Sequence, residues 1–370
     1  MQIPSLKIDF NKQDREQILM DINQCLETGQ VSMGHFTEQF EQEFAQYTGH
    51  KYAVATSSGT TAIEAVMRAL NLNGGEVLAP TNTFMATITG ILFAGGRVRL
   101  VDADPQTFSI TVEELEKRLT PKTVGVVIVH IGGIITPQIN EIAAWCQKRG
   151  LWLFEDAAHA HGCSFNGLQP GAFGIAAAYS FFSTKVITSG EGGMVVTNDK
   201  QLAQNVKLLR NHGKPNMWET YNVEVGTNYR LNEFCAIIGR TQLRRLNEIK
   251  KQRQAIAEKY TELIKETIPE LTPILPADES SYYKYIVMLP TSIDRDTLKK
   301  EMKKRGVSFQ GEVYAIPIHR QPSSKKIGLE GEFPIADDIC KRHICLPIYP
   351  SLNHVDYVVS QLREIVALLK

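Results

Sequence analysis

The 370-residue chain carries no surplus of charge, with forty Lys and Arg against forty Asp and Glu. A balanced chain casts no global field to attract nucleic acid or an acidic membrane, so any anionic ligand has to be met by a local site. A helix-turn-helix pattern with a basic face is also missing, and no nucleic-acid partner is expected. No apolar run approaches the ~20 residues needed to cross a bilayer. The opening residues, MQIPSLKIDFNKQD, lack the apolar core of a signal peptide. The expected location is cytoplasmic, with no membrane partner. Cysteine is sparse: Cys25, Cys146, Cys163, Cys235, Cys340 and Cys345 form no CxxC pair. A chain of this length needs no disulfide staples, so these read as small hydrophobes. Cys340, His343 and Cys345 come nearest to a metal cluster. Their two thiols have no second pair, so CKRHIC reads as a helix-to-strand junction and no metal is expected. HExxH, Walker A and a GxGxxG after a strand are absent, which removes the metalloprotease, P-loop and Rossmann readings.

What is present is ordinary for a soluble globular protein: 43% apolar and 22% charged residues. The length suits two domains. Ile18, Asp21, Ile22 and Cys25 fall at helical spacing after Asn11, with Gly29 as a stop, and Phe36, Phe40, Phe44 and Tyr47 mark a second amphipathic helix ending at Gly49. From Lys51, short apolar runs (YAVAT, EVLAP, RVRLV, VGVVIVH, LWLFED) alternate with helical patterns over 61–70, 85–94, 112–119 and 137–149. That alternation predicts α/β architecture, a mostly parallel sheet covered on both faces. A single long helix is expected from Asn232 to about Lys265, bridging to a smaller α+β domain. The expected division is an arm over 1–11, a large domain over 12–245 and a small C-terminal domain over 246–370.

Ligands on such sheets bind beyond the carboxyl ends of the strands. After YAVAT comes SSGTT, leading into a helix. Small residues there leave N–H groups open to a phosphate, although plain N-capping by Ser58 or Thr60 accounts for the same residues. After EVLAP comes Phe84, which is placed to lie against a planar ring or to fill the core. After LWLFE comes Asp156, whose carboxylate is costly at the end of a buried strand unless a cation meets it. A capping role for Asp156 leaves the neighbouring small residues and histidine unexplained. Lys185 then follows an aromatic-hydroxyl run and precedes a glycine-rich turn. A lone lysine is ordinarily a solvated surface residue. A phosphate cup, a flat aromatic, a buried Asp and a strand-end Lys in this order are the parts needed for pyridoxal phosphate. The lysine supplies a Schiff base, and the Asp keeps the ring nitrogen protonated so that the ring acts as an electron sink.

These residues also match a known family. SSGTTAIEAV, PTNTFMAT, VDADPQT, EDAAHAHG, SFFSTKVITSGEGGMVVTND, LLRNHG, GTNYRLNEFCAIIGRTQL and HICLPIYPSL span nearly the whole chain in order. The chain resembles the DegT-type sugar aminotransferases, pyridoxal-phosphate enzymes of the aspartate aminotransferase fold, fold type I. The resemblance implies a large domain with a seven-stranded-type sheet and a smaller C-terminal domain. It makes Lys185 the Schiff-base lysine and Asp156 the partner of the pyridine nitrogen. Gly59, Thr60 and Ser183 would hold the phosphate, Phe84 would stack on the ring, and His159 would lie beside it. Asn228, in NYR, would reach the phosphate held by a neighbouring subunit, so a symmetric homodimer with shared sites is expected. The implied reaction moves an amino group from an amino acid, glutamate in most relatives, through pyridoxamine phosphate to a keto sugar. That sugar is usually carried on a nucleotide diphosphate as a 4-keto or 3-keto deoxysugar for polysaccharide or amino-sugar biosynthesis.

Two features qualify the match. Where many relatives place an aromatic after the VVIVH strand, this chain has His130-Ile131-Gly132-Gly133-Ile134, which is expected to alter the pocket near the substrate. The turn after the lysine resembles that of the family's deoxysugar dehydratases, which carry histidine in the lysine's place, so Lys185 favours transamination. A regulatory protein that kept the cofactor pocket without turnover is the rival of another class. On the substrate side, Met33 and Gly34 sit where relatives line the mouth of the pocket. Tyr314 and His319 fall on a loop that could reach a sugar or its diphosphate, or are a packing Tyr and a surface His. Arg230 could pair with an anionic substrate or brace the dimer.

Overall fold

The structure, a computed structural model, describes residues 2–216 and 218–369. Met1 and Lys370, the ends of the expected arm and C-terminal domain, lie outside the described residues, as does Met217. Seven strands form the large sheet: β1 (Tyr52–Thr56), β2 (Glu76–Pro80), β3 (Arg97–Val101), β4 (Thr123–Val129), β5 (Trp152–Asp156), β6 (Ala176–Ser180) and β7 (Gly193–Thr197). Their order across the sheet is β1-β7-β6-β5-β4-β2-β3. β7 runs antiparallel to both neighbours, and the other pairings are parallel. The mostly parallel sheet expected from the alternating pattern is therefore the observed one. Its strands are apolar nearly throughout because helices cover both faces; Val126, Val127, Phe154, Ala177 and Val195 are fully buried.

A smaller antiparallel sheet, β8 (Thr272–Ile274), β9 (Tyr285–Met288) and β10 (His343–Leu346), follows in the order β10-β9-β8. Helices Leu246–Thr267, Arg295–Lys304 and Val355–Leu369 contribute with it to a second apolar cluster that includes Tyr260, Val287, Leu298 and Leu362. The arm joins this unit, since Ile3 pairs with Val307 and is buried.

One expectation needs correction. The long helix from Asn232 is two helices, Glu233–Arg244 and Leu246–Thr267, meeting at Arg245. Arg245 caps the first helix and precedes the second, and its side chain bonds Asp14 and Glu248. Apolar residues at helical spacing on both sides of Arg245 hide the break. The helices expected over 61–70, 85–94, 112–119 and 137–149 fall within two residues of their observed bounds, and the Gly29 and Gly49 stops are both left-handed caps, whereas the helices Lys200–Arg210, Pro322–Lys326 and, apart from its end in CKRHIC, Pro334–Arg342 were not expected.

Candidate active site

The carboxyl ends of β1, β5 and β6 and the start of β7 lie at one edge of the sheet, and a cavity of about 380 Å³ opens there. Seven separate stretches line it, around Ser58, Phe84, Val129, Asp156, Ser180, Tyr283 and Tyr314. The helix Gly59–Ala69 begins there, with Ser58 as its N-cap. The Ser58 hydroxyl accepts from Thr61 N–H at 3.1 Å, and Ser58 C=O accepts from Ala62 N–H at 3.0 Å. The N–H groups of Gly59 and Thr60 find no acceptor among the described residues. They form an open, partially positive helix start. Gly59 has a steric reason to be glycine: a Cβ there would come within 2.7 Å of Ser180 Cβ. Gly193 is constrained in the same way, 2.1 Å from Ser58 C=O.

β5 supplies Asp156. Strand alternation sends Glu155 to the other face, where its carboxylate meets His130 Nε2 at 2.9 Å and accepts from Gly171, Phe173 and Gly174 N–H. Asp156 is 5% exposed, accepts from Thr87 Oγ1 at 2.7 Å and Ala158 N–H at 3.1 Å, and makes no ion pair among the described residues. Burial pushes its carboxyl upward, opposed by those two hydrogen bonds and by the Lys185 charge. Lys185 follows the turn after β6, its N–H donating to Phe182 C=O at 3.0 Å. Its Nζ lies 4.9 Å from the Tyr283 ring centroid. Burial lowers its ammonium from the usual lysine range to about 8; nearby Asp156 opposes the shift and Lys284 adds to it. An amine so placed is available as nucleophile and base near neutral pH.

His159 lines the same cavity, stacked on Tyr283 with ring centroids 4.3 Å apart. Burial drives its imidazolium well below the ordinary range, so the ring is neutral. Gly132 N–H donates to Nδ1 at 3.3 Å, which leaves the proton on Nε2, 3.3 Å from Tyr314 Oη. Tyr314 is thus in the cavity wall. Phe84, 59% exposed, also lines it and lies 5.9 Å from the Tyr314 ring.

Other expected residues lie elsewhere. Ser183 is not among the lining residues: it sits inside the turn from Phe182 to Lys185, and Ser180, at the strand end facing Gly59, stands in the wall instead. His319 is buried away from the cavity, its Nδ1 2.7 Å from Thr81 Oγ1 and its Nε2 3.0 Å from Asp337. It fastens its loop to the end of β2, where it neither lines the cavity as a substrate residue would nor lies at the surface. Gly34 begins the helix His35–Thr48, where the buried Glu233 carboxylate accepts from Gly34, Phe36 and Thr37 N–H. Met33, beside it, has a positive φ of 52° and lies outside the lining. Arg230 donates to buried Asn211 Oδ1 at 3.0 Å, and Asn228 pairs with Asn211; neither lines this chain's cavity.

The HIGGI departure is likewise outside the lining. Ile131 is buried, while Gly132 and Gly133 C=O accept from Lys284 N–H at 3.1 Å and Ser280 Oγ at 2.8 Å. The segment therefore seats the 280–284 stretch over the cavity. Thr87, Ser180, Thr184, Glu191 and Tyr283 are site residues that the motifs did not single out. Their signal was weak: a Thr one turn into a helix, or one Tyr among several in SYYKY.

The donor set fits pyridoxal phosphate. Two free N–H groups at a helix start suit a phosphate, and a buried carboxylate without a cation suits a protonated ring nitrogen. Among the described residues no group of His, Cys, Asp and Glu is arranged to hold a metal. Comparison with known proteins supports the same cofactor. Residues 12–363 match the DegT/DnrJ/EryC1/StrS aminotransferase family. A pleiotropic regulatory protein of Geobacillus stearothermophilus is 32% identical over 98% of each chain. A GDP-perosamine synthase of Escherichia coli O157:H7 is 31% identical, with 93% of this chain and 94% of the relative aligned. The solved structure of NtdA from Bacillus subtilis with bound cofactor PMP superposes with a TM-score of 0.91 at 26% identity, covering 99% of this chain and 85% of that one.

Proposed function

Since the chain belongs to the DegT/DnrJ/EryC1/StrS aminotransferase family and is a pyridoxal-phosphate-dependent aminotransferase of fold type I, we propose that it transfers an amino group from L-glutamate to a keto sugar carried on a nucleotide diphosphate. The carrying observation is the buried Lys185 amine, held at about 8 in one cavity with Asp156 and the open start of the helix Gly59–Ala69. The name of the E. coli relative supports the nucleotide-sugar class. We assign the product to amino-sugar or polysaccharide biosynthesis on the same ground.

In this reading the Lys185 amine would hold the cofactor and would serve as the base that takes and returns the proton at the donor's α-carbon. Bound pyridoxal phosphate supplies the electron sink for that proton transfer. Asp156, braced by Thr87 and Ala158 N–H, would keep the ring nitrogen protonated. Gly59, Thr60 and Ser180 would hold the phosphate, Phe84 would lie against the ring, and neutral His159 would offer Nε2–H. Tyr283 and Tyr314 close the cavity against water. Exposed Asn228 and half-buried Arg230 lie outside this chain's cavity, which fits the service of a second subunit's site. Exposed Val223 and Val225 and the 86%-exposed Trp218, on the neighbouring loop, give a homodimer apolar surface to cover. We place the division between the two units at 245/246, supported by the break at Arg245 and the separate second cluster. Six unpaired cysteines suit a reducing cytoplasm, and no helix among the described residues is long and apolar enough to cross a membrane.

The test is a panel of nucleotide-linked 3-keto and 4-keto sugars with L-glutamate, with products read by mass spectrometry. Replacement of a keto oxygen by an amino group supports the proposal. A protein that binds pyridoxal phosphate yet aminates no member of the panel, while acting on free keto acids, would contradict it.

A further inference from the structure

A second cavity, of about 320 Å³, adjoins the first and shares its His159, Thr184, Tyr283 and Tyr314 walls. The far side is made by Ser5 and Leu6 of the arm, by residues 310–313, and by Lys284. Lys284 Nζ lies 5.1 Å from the Tyr283 ring centroid, so Lys185 and Lys284 border one ring from neighbouring cavities. Among the described residues the Lys284 ammonium has no ion pair and no hydrogen-bond acceptor; the carboxylate in the same wall, Glu312, is engaged by Lys299. Gly311 keeps the amine clear, since a Cβ there would stand 2.6 Å from Nζ.

The backbone that presents Lys284 is fixed. Buried Arg253 donates to the carbonyls of Ser281, Tyr282, Tyr283 and Ile348 at 2.6 to 3.1 Å. Lys284 N–H is tied to Gly132 C=O. A largely buried cation with no counter-charge is costly by itself and becomes favourable when a ligand supplies the anion. Burial already lowers its ammonium from the usual lysine range.

We propose that Lys284 forms a subsite for an anionic oxygen group, a carboxylate or a phosphate, on a substrate whose reacting end lies beside Lys185. The proposal rests on transamination at Lys185. Both substrates carry such a group, the donor amino acid in its carboxylates and the acceptor in its diphosphate, and the neighbouring cavity lies within reach of either.

Calorimetry on the protein loaded with pyridoxal phosphate, using glutarate and separately UDP as probes, compares the wild type with Lys284→Met, Lys284→Gln and Lys284→Arg. Unchanged cofactor absorbance and Tm identify folded variants, and Lys284→Gln serves if Lys284→Met folds poorly. Glutarate binding weakened about tenfold or more in the neutral variants and recovered in Lys284→Arg assigns the donor carboxylate. The same pattern with UDP assigns the acceptor diphosphate. Equal affinities for both probes in wild type and neutral variants, or no binding of either by the wild type, overturn the subsite. A wild type that binds glutarate through Lys284 but never exchanges its amino group with L-glutamate leaves the subsite standing and removes the transamination reading.

Discussion

Asp156, Ser180 and the start of the helix Gly59–Ala69 stand on the carboxyl edge of the seven-stranded sheet, whereas Tyr283 and Tyr314 reach the same cavity from beyond residue 246, with Lys284 in the adjoining cavity. The floor is set by strand geometry. Each of its side chains sits at or just past a strand end, and close approaches at Gly59 and Gly193 leave no freedom to shift. The cap is set by polar ties. Arg253 holds 281–283, the carbonyls of Gly132 and Gly133 hold 280–284, and Thr81 and Asn82 hold the loop carrying Tyr314 and His319. In the proposed reading the difference separates two duties: the floor would carry the proton transfer, and the cap would select the substrate that reaches it.

Changes in the floor should therefore remove chemistry, and changes in the cap should move stability or substrate affinity. The largest expected effect is Lys185→Ala, which is predicted to lower kcat by about 10⁴-fold or more with the fold intact, checked by steady-state kinetics and circular dichroism. Asp156→Asn is expected to lower kcat by about 10²- to 10³-fold, because a neutral amide no longer favours the protonated ring nitrogen. A loss confined to KM would assign Asp156 to the cap's kind of duty and break the comparison. On the cap, Arg253→Met should cost about 3 kcal/mol in denaturant unfolding, since it strands four carbonyls. It should also raise KM more than it lowers kcat.

The floor has a pH signature. The Lys185 ammonium is lowered to about 8, so the reactive free amine is present above that pH and lost below it. Capture of pyridoxal phosphate by the apoprotein, followed by absorbance, should slow about tenfold per pH unit below about 8 and level off above. A midpoint near that of an exposed lysine would place Lys185 outside the buried floor. The smallest effect is expected at His319→Ala: a stability loss of about 1 to 2 kcal/mol from the broken Thr81 and Asp337 contacts, with kcat/KM unchanged. A fall in kcat/KM there would restore His319 to the substrate side.

The same contrast governs what could be read from the chain. The floor was legible because each of its parts is a local signal: a carboxylate ending an apolar run, small residues opening a helix, a lysine before a glycine-rich turn. Ser180 and Ser183 show the limit, since both follow the strand pattern closely and only the position of the turn puts one in the wall. Of the cap only Tyr314 was legible; Tyr283 and Lys284 were not, because they gain meaning from Arg253 and Gly132, contacts about 30 and 150 residues away in the chain. His319 shows the same failure in reverse: a polar loop residue in sequence is a buried strut in space. The break at Arg245 was hidden because the apolar spacing continues on both sides of it.

The central claim, that Lys185 and Asp156 form the working floor of a pyridoxal-phosphate aminotransferase, is tested most directly by one absorbance experiment on the reconstituted protein. A yellow wild type whose band shifts on adding L-glutamate and returns on adding a keto acceptor, with Lys185→Ala unable to complete the cycle, is the predicted result. A wild type that stays colourless after incubation with pyridoxal phosphate, or a Lys185→Ala protein that still cycles, would contradict it.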